Sequence, residues 1–189
     1  METSKYGHIC GRFQPFHKQH LEYAKLALEQ TEIDALMIGV TNADPHHITP
    51  EDKDEKRHEK KHNPFRFYER LSMIEATIEK SEISVPVQIL PFPINKPDLW
   101  QYYAPKSALY CIGMVDKWNE EKASRIEKTG REVRRIEMNP YLDGEKVRAT
   151  KIRKNIAKDK EWKHLVPEPV SEYIERNKLD RRIKRLYEG

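Results

Sequence analysis

Between residues 11 and 20 the chain reads Gly11-Arg12-Phe13-Gln14-Pro15-Phe16-His17-Lys18-Gln19-His20, and these residue types at this spacing are suited to holding phosphate. Histidines three apart at the start of a helix share one face, and each ring can donate a hydrogen bond to a phosphate oxygen. Gly11 lets the backbone come close to a ligand. The free amides and dipole of a helix beginning here would add about 0.3–1 kcal/mol for each anionic charge. Two other readings of the pair stand beside this one: two ordinary surface imidazoles, or two ligands of a metal ion. The metal reading lacks a partner, because no Glu or third ligand stands at a helical spacing nearby.

A second segment, Val147-Arg148-Ala149-Thr150-Lys151-Ile152-Arg153, has similar capacity. Thr150 can cap a new helix and offer its hydroxyl and amide to a phosphate, while Arg153, one turn later, brings a permanently charged fork to the same end. An ordinary Thr cap with a solvated Arg is the plainer alternative. No Ser, Cys or general-base constellation of the usual nucleophilic kind occurs.

These segments need a scaffold, and the hydrophobic pattern supplies one. Short apolar runs alternate with stretches of helical period, which predicts an α/β fold, Rossmann-like, with a mainly parallel sheet flanked by helices. Strands are expected at Tyr6–Cys10, Ile33–Thr41, Val85–Leu90, Leu109–Ile112 and Arg131–Glu137. Helices are expected at Leu21–Gln30, from Asn63-Pro64 through Ile78, at Asp98–Tyr103, at Val115–Lys128 and at Thr150–Lys158, with a C-terminal helical segment over Pro167–Lys184. In such a sheet, ligands bind beyond the carboxyl ends of the strands, which is where the first segment lies. Residues 51–62 hold five acids, five Lys or Arg, His58 and His62, with no apolar anchor. They read as a solvated insertion or as a lid over phosphates.

Length and composition narrow the field further. The 189 residues suit one domain, 1–189, closed by the helical segment 148–189. With 37% hydrophobic and 35% charged residues, the chain is polar but retains enough aromatic and aliphatic side chains for a core. No apolar stretch approaches the roughly 18 residues that span a bilayer, and residues 1–11 lack the form of a signal peptide, so a cytoplasmic protein without a membrane partner is expected. Cys10 and Cys111 sit inside strand-like runs and read as buried free thiols. The net charge of +4 is too small to imply a nucleic-acid partner. The basic stretch 176–185 reads as a solvated helix face, with contact to RNA as the rival reading. The sequence leaves homo-oligomer formation open.

The run Gly-Arg-Phe-Gln-Pro-Phe-His-x-x-His at 11–20 resembles the signature of the nucleotidyltransferase superfamily, and in its Arg-Phe-Gln form it is similar to nicotinamide-mononucleotide adenylyltransferases of the archaeal type. Later segments line up in order. Asn63-Pro64-Phe65 with Glu69-Arg70 resembles the start of the family's second helix, and Leu99-Trp100 the place where an aromatic stacks on nicotinamide. Thr150 to Arg153 resembles the Ser/Thr-x-x-Arg phosphate motif, and Glu161-Trp162 through Glu168 the closing segment. The chain departs from the pattern at Gln19, where the family carries a Gly that leaves room beside the nucleotide, and at Pro97, where it carries Asn.

The resemblance implies adenylyl transfer from ATP to nicotinamide mononucleotide, giving NAD and pyrophosphate. His17, His20 and Arg153 would be catalytic. Gly11, Arg12, Phe13, Gln14 and Thr150 would join them in binding ATP, and Trp100 would sit against the nicotinamide. Read on its own, Trp100 is more often a core or interface aromatic than a ligand platform, and its ligand role rests on the resemblance. Mg²⁺ would travel on the ATP phosphates, since no carboxylate cluster for it is evident in the sequence. Two alternatives stand: a nucleotidyltransferase using another phosphate acceptor or CTP, and a non-catalytic module that binds nucleotide or RNA.

Overall fold

The computed structural model describes residues 5–44, 59–142 and 144–188. Five strands, β1 (Tyr6–Gly11), β2 (Ala35–Val40), β3 (Val87–Pro91), β4 (Leu109–Met114) and β5 (Val133–Glu137), pair in parallel in the order β3-β2-β1-β4-β5. Strand β2, Ala-Leu-Met-Ile-Gly-Val, is buried along its whole length, as expected for a parallel strand covered on both faces. Because successive side chains of a strand point to opposite faces, Ile9 of β1 enters one core and its neighbour Cys10 the other. The first core is packed by α1 (Lys18–Glu29), α2 (Phe67–Glu79), α4 (Ala149–Ala157), α5 (Glu168–Arg176) and α6 (Leu179–Glu188). The second is covered by α3 (Lys117–Glu127) and the 3₁₀ turn Pro97–Tyr102.

The chain winds outward from β1 through β2 to β3, then returns to lay β4 on the other side of β1. The order therefore reverses between β1 and β4, and a crevice opens beyond their carboxyl ends. A two-stranded hairpin of β6 (Tyr141–Leu142) and β7 (Glu145–Lys146) turns at Gly144, whose φ of +77° is a conformation that glycine adopts without penalty. It delivers the chain to the start of α4.

Some boundaries differ from the sequence expectations for identifiable reasons. Asn63-Pro64 does not start α2; the helix starts at Phe67. The side-chain amide of Gln14 donates to the Phe65 carbonyl and accepts from the Phe65 amide, both at 2.9 Å, and this pairing keeps the segment out of the helix. Glu69 then caps α2 by accepting from the Arg66 amide at 2.8 Å. Thr150 is not the cap of α4, since that place falls to Arg148. The C-terminal segment divides at Lys178, which takes a left-handed φ of 54° between α5 and α6. Helix α6 is fastened to α2 by Arg182, whose two terminal nitrogens reach the buried Glu69 carboxylate at 2.7 and 2.8 Å. Most of the charged segment, residues 51–58 with His58, lies outside the described residues; His62 ends a short 3₁₀ turn, Lys60–His62. Among the described residues no helix is long and apolar enough to cross a membrane, and Cys10 and Cys111 are buried free thiols.

Candidate active site

The loop from β1 to α1 is built around its aromatic residues. Phe13 takes a positive φ of 51°, and its ring lies against Gly11, where an added Cβ would stand 2.8 Å from the ring. Gly11 is thus demanded by Phe13 as well as by any ligand. Phe13 and Phe16 pack on His20 with ring centroids 4.9 and 5.5 Å away. His17 occupies the cap position of α1 in extended conformation, and its backbone N–H donates to Nδ1 of His20 at 3.2 Å. That bond makes Nδ1 the acceptor, so in a neutral ring Nε2 carries the proton and is a donor. The two imidazoles stack with centroids 3.5 Å apart.

Burial pulls the His17 pKa down to about 3, and burial followed by the neighbouring His17 holds His20 well below its ordinary 6.5. Both rings are therefore uncharged near neutrality. The Nδ1 of His17 is buried and without a hydrogen-bond partner among the described residues. A polyanion placed against the pair would favour protonation and supply the missing acceptors.

Two buried guanidinium groups hold the loop in place. Arg70 of α2 donates to the carbonyls of Arg12 and Thr41, each at 2.7 Å, and of Asn42 at 2.8 Å, and burial lowers its pKa to about 10. The carboxyl ends of β1 and β2 are thereby tied to α2. Arg153 of α4 donates through Nη1 to the Gln14 carbonyl at 2.6 Å and through Nη2 to the Thr150 hydroxyl at 3.2 Å, and the same Nη2 lies 3.3 Å from Nδ1 of His62. Its Nε has no partner among the described residues.

The resulting crevice has a volume of about 450 Å³. Gly11, Arg12, Phe13, Gln14, His17, His20, Thr150 and Arg153 all line it. The structure therefore joins two segments that are more than a hundred residues apart in the chain. Trp100 is placed elsewhere: it is buried in the second core, its indole N–H donates to the Pro93 carbonyl at 2.9 Å, and it is absent from the crevice wall. Gly113 does line the wall, where a Cβ would meet the Met138 sulfur at 2.5 Å and the Tyr23 ring at 3.2 Å.

Sequence reasoning missed several lining groups. Lys122 of α3 reaches across to donate to the Cys10 carbonyl at 3.1 Å, and Lys146 and Arg148 arrive on the hairpin and the start of α4. With Arg12 and Arg153, five cationic side chains among the described residues face the crevice against a single carboxylate, Asp116. Asp116 is engaged in capping α3, accepting from the amides of Trp118 and Asn119 at 3.1 and 3.3 Å. No spacing signal marks these cations, because each comes from a different element. Among the described residues there is no cluster of three or more His, Cys, Asp or Glu able to hold a metal ion.

Comparison with known proteins gives a consistent result. A family model described as cytidylyltransferase-like matches residues 8–155. The chain is 35% identical over 179 residues to the phosphonoformate cytidylyltransferase of Streptomyces viridochromogenes, covering 94% of this chain and 95% of that protein. It is 30% identical over 179 residues to the nicotinamide-nucleotide adenylyltransferase of Methanococcus aeolicus, covering 94% and 92% of the two chains. Among solved structures, a bifunctional NMN adenylyltransferase/ADP ribose pyrophosphatase from Francisella tularensis superposes with a TM-score of 0.63 at 20% identity, over 97% of this chain and 53% of that one. The chain thus spans about half the length of that structure, and the likeness concerns the fold.

Proposed function

The chain belongs to the cytidylyltransferase-like family of nucleotidyltransferases, and from that premise we propose that it transfers a nucleotidyl group from a nucleoside triphosphate to a phosphate or phosphonate oxygen of a small acceptor, releasing pyrophosphate. The observation that carries this reading is the meeting of His17, His20, Thr150 and Arg153 around one crevice with a strong excess of positive charge. An acceptor oxygen attacks the α-phosphorus, the new O–P bond forms, and the bond from that phosphorus to the bridging oxygen breaks as pyrophosphate leaves. The acceptor is already anionic, so no base is needed. Catalysis is positioning and neutralisation: in-line alignment supplies about 7–11 kcal/mol, and each donor aimed at developing charge supplies about 3 kcal/mol. The Nε2–H of His20 would be such a donor, and Mg²⁺ would be held by the substrate's own phosphates, the described residues offering no cluster of His, Cys, Asp or Glu for it.

Two substrate pairs compete within this reading. The 28–30% identical archaeal relatives support ATP with nicotinamide mononucleotide, as the sequence resemblance implies. The 35% identical relative supports CTP with a small phosphonate, and so does the burial of Trp100, which leaves that ring off the crevice wall where it would have to stack on nicotinamide. We favour the small acceptor. Pyrophosphate release is to be measured with ATP and CTP, each paired with nicotinamide mononucleotide and with phosphonoformate. Release is expected only when nucleotide and acceptor are both present, fastest with CTP and phosphonoformate. Nucleotide binding with no pyrophosphate from any pair would refute the transferase reading in favour of a binding module.

A further inference from the structure

Arg153 is permanently charged and only 1% exposed, yet among the described residues no carboxylate reaches it. Its hydrogen bonds go to the Gln14 carbonyl, the Thr150 hydroxyl and Nδ1 of His62, and the Tyr187 phenol of α6 stands beside it. Other guanidinium groups of the fold are treated differently. Arg182 meets the Glu69 carboxylate at 2.7 and 2.8 Å, and Arg135 meets Glu120 and Glu127 at 2.6 and 2.7 Å. Arg70 directs its Nε and both terminal nitrogens to backbone carbonyls and is not part of the crevice wall. A buried cation without a counter-charge is unfavourable unless a ligand brings one. Arg153 lines the crevice, with its Nε unpartnered among the described residues.

The acceptor that comes from outside the two phosphate segments is His62, the last residue of the turn Lys60–His62. A guanidinium has only donors, so Nδ1 at 3.3 Å from Nη2 is an acceptor, and the neutral ring carries its proton on Nε2. Burial, and then the charge of Arg153, lowers the His62 pKa and keeps the ring in that form. Glu59, whose carboxylate lies 4.0 Å from Nε2, is paired with Lys61 at 2.7 Å rather than with Arg153. His62 is absent from the crevice wall, so it reaches a ligand there only through Arg153. The Gln14 carbonyl fixes Nη1, while Thr150 and His62 together fix Nη2. The plane of the fork is thereby set from three separate stretches of chain.

We propose that His62 is a positioning residue for an anion clamp: as a neutral acceptor it fixes the Arg153 fork at the crevice wall and leaves the whole of its charge for a bound phosphoryl group. A carboxylate in the same place would hold the fork more firmly and cancel the charge that the ligand needs. The inference rests on the nucleotidyl-transfer reading above for the anion, a pyrophosphate or the chain of phosphates that releases it, and adds how the site is kept both rigid and cationic.

Three substitutions of nearly equal size separate holding from charge. His62→Asn puts a neutral oxygen near the place of Nδ1, His62→Leu removes the acceptor, and His62→Asp makes it anionic. Binding of inorganic pyrophosphate is measured by calorimetry near neutral pH and at about 0.15 M salt, with urea unfolding and with turnover on the substrate pairs above in parallel. His62→Asn is expected within about threefold of the wild type in affinity and turnover, and His62→Leu about tenfold or more below it, the loss of one hydrogen bond to a charged group. His62→Asp should unfold at no lower urea concentration than His62→Asn, yet bind pyrophosphate about tenfold or more weakly than it does. Lys60→Glu, at an exposed site in the same turn, shifts the charge in the same direction and should stay within about threefold of the wild type. A purely structural role would make His62→Asp as good as His62→Asn. That result, His62→Leu matching the wild type, or an equal loss in Lys60→Glu would overturn the proposal and leave the transferase intact. The expected order in pyrophosphate affinity, with no turnover on any substrate pair, would sustain the clamp and overturn the transferase. If only turnover is measurable, the same order is required there, and a wild type that neither binds pyrophosphate nor turns over overturns both. Should His62→Leu not fold, the contrast between His62→Asn and His62→Asp decides.

Discussion

Mild acid should destabilise this protein as pH falls from about 6.5 toward about 3, because the fold keeps imidazoles uncharged. His8 and His17 are buried, and burial pulls both from 6.5 down to about 3, with the charges of Lys122 and Arg131 adding to the effect at His8. His20 is displaced in the same direction by burial and then by His17. In the unfolded chain each ring takes a proton near 6.5, and in the folded chain His8 and His17 take it near 3. Between those values the unfolded state binds more protons, so stability falls as pH drops and is unaffected at higher pH. At about pH 4.5 each such group removes about 3 kcal/mol, so His8 and His17 together remove about 5 kcal/mol, against a typical total of about 5–15 kcal/mol. Urea unfolding followed by tryptophan fluorescence, repeated between about pH 7.5 and 4.5, measures this directly. His8 lies against Phe92 and Tyr110, away from the crevice wall, with both ring nitrogens unpaired among the described residues. His8→Leu should therefore lose about 3 kcal/mol less than the wild type over the same range. An identical slope in the two proteins would show that the buried rings do not govern the acid response.

Two other substitutions probe separate parts of the molecule. His20→Ala should lower nucleotidyl-transfer turnover by about 10²–10³ while the protein remains folded by circular dichroism, since it removes a donor aimed into the crevice; unchanged turnover would exclude that role. Arg182→Ala should destabilise the fold by about 3 kcal/mol in thermal or urea unfolding, because it leaves the buried Glu69 carboxylate without its fork, and a change below about 1 kcal/mol would show that the pair contributes little.

Much of the architecture was legible in the sequence because it is written in local periodicity. The apolar runs that predicted five strands correspond to β1–β5 within a few residues, and the helical stretches between them pack on both faces of the sheet. The boundaries that differ are those set by distant partners. Nothing near Asn63-Pro64 reveals that Gln14, about fifty residues earlier, will pair with Phe65 and delay the helix. Nothing near Trp100 chooses between a core and a ligand platform; that is settled by the Pro93 carbonyl and by Arg131, 5.3 Å over the ring.

The same division holds for the site. By itself the sequence determined the alternation of strands and helices, the parallel sheet this implies, and the placing of two imidazoles at the first strand-to-helix junction, because spacing along the backbone is enough to put them on one face. Only the tertiary structure decided that the Thr150–Arg153 segment faces the same hollow, that Arg70 holds the loop through three carbonyls, and that Lys122, Lys146 and Arg148 make that hollow cationic. It also decided that Gln19 is buried, its side-chain oxygen unmatched among the described residues. Electrostatic and hydrogen-bond partners act through space over a few ångströms, and residues brought that close by the winding of β1 and β4 carry no mark of it in their separation along the chain.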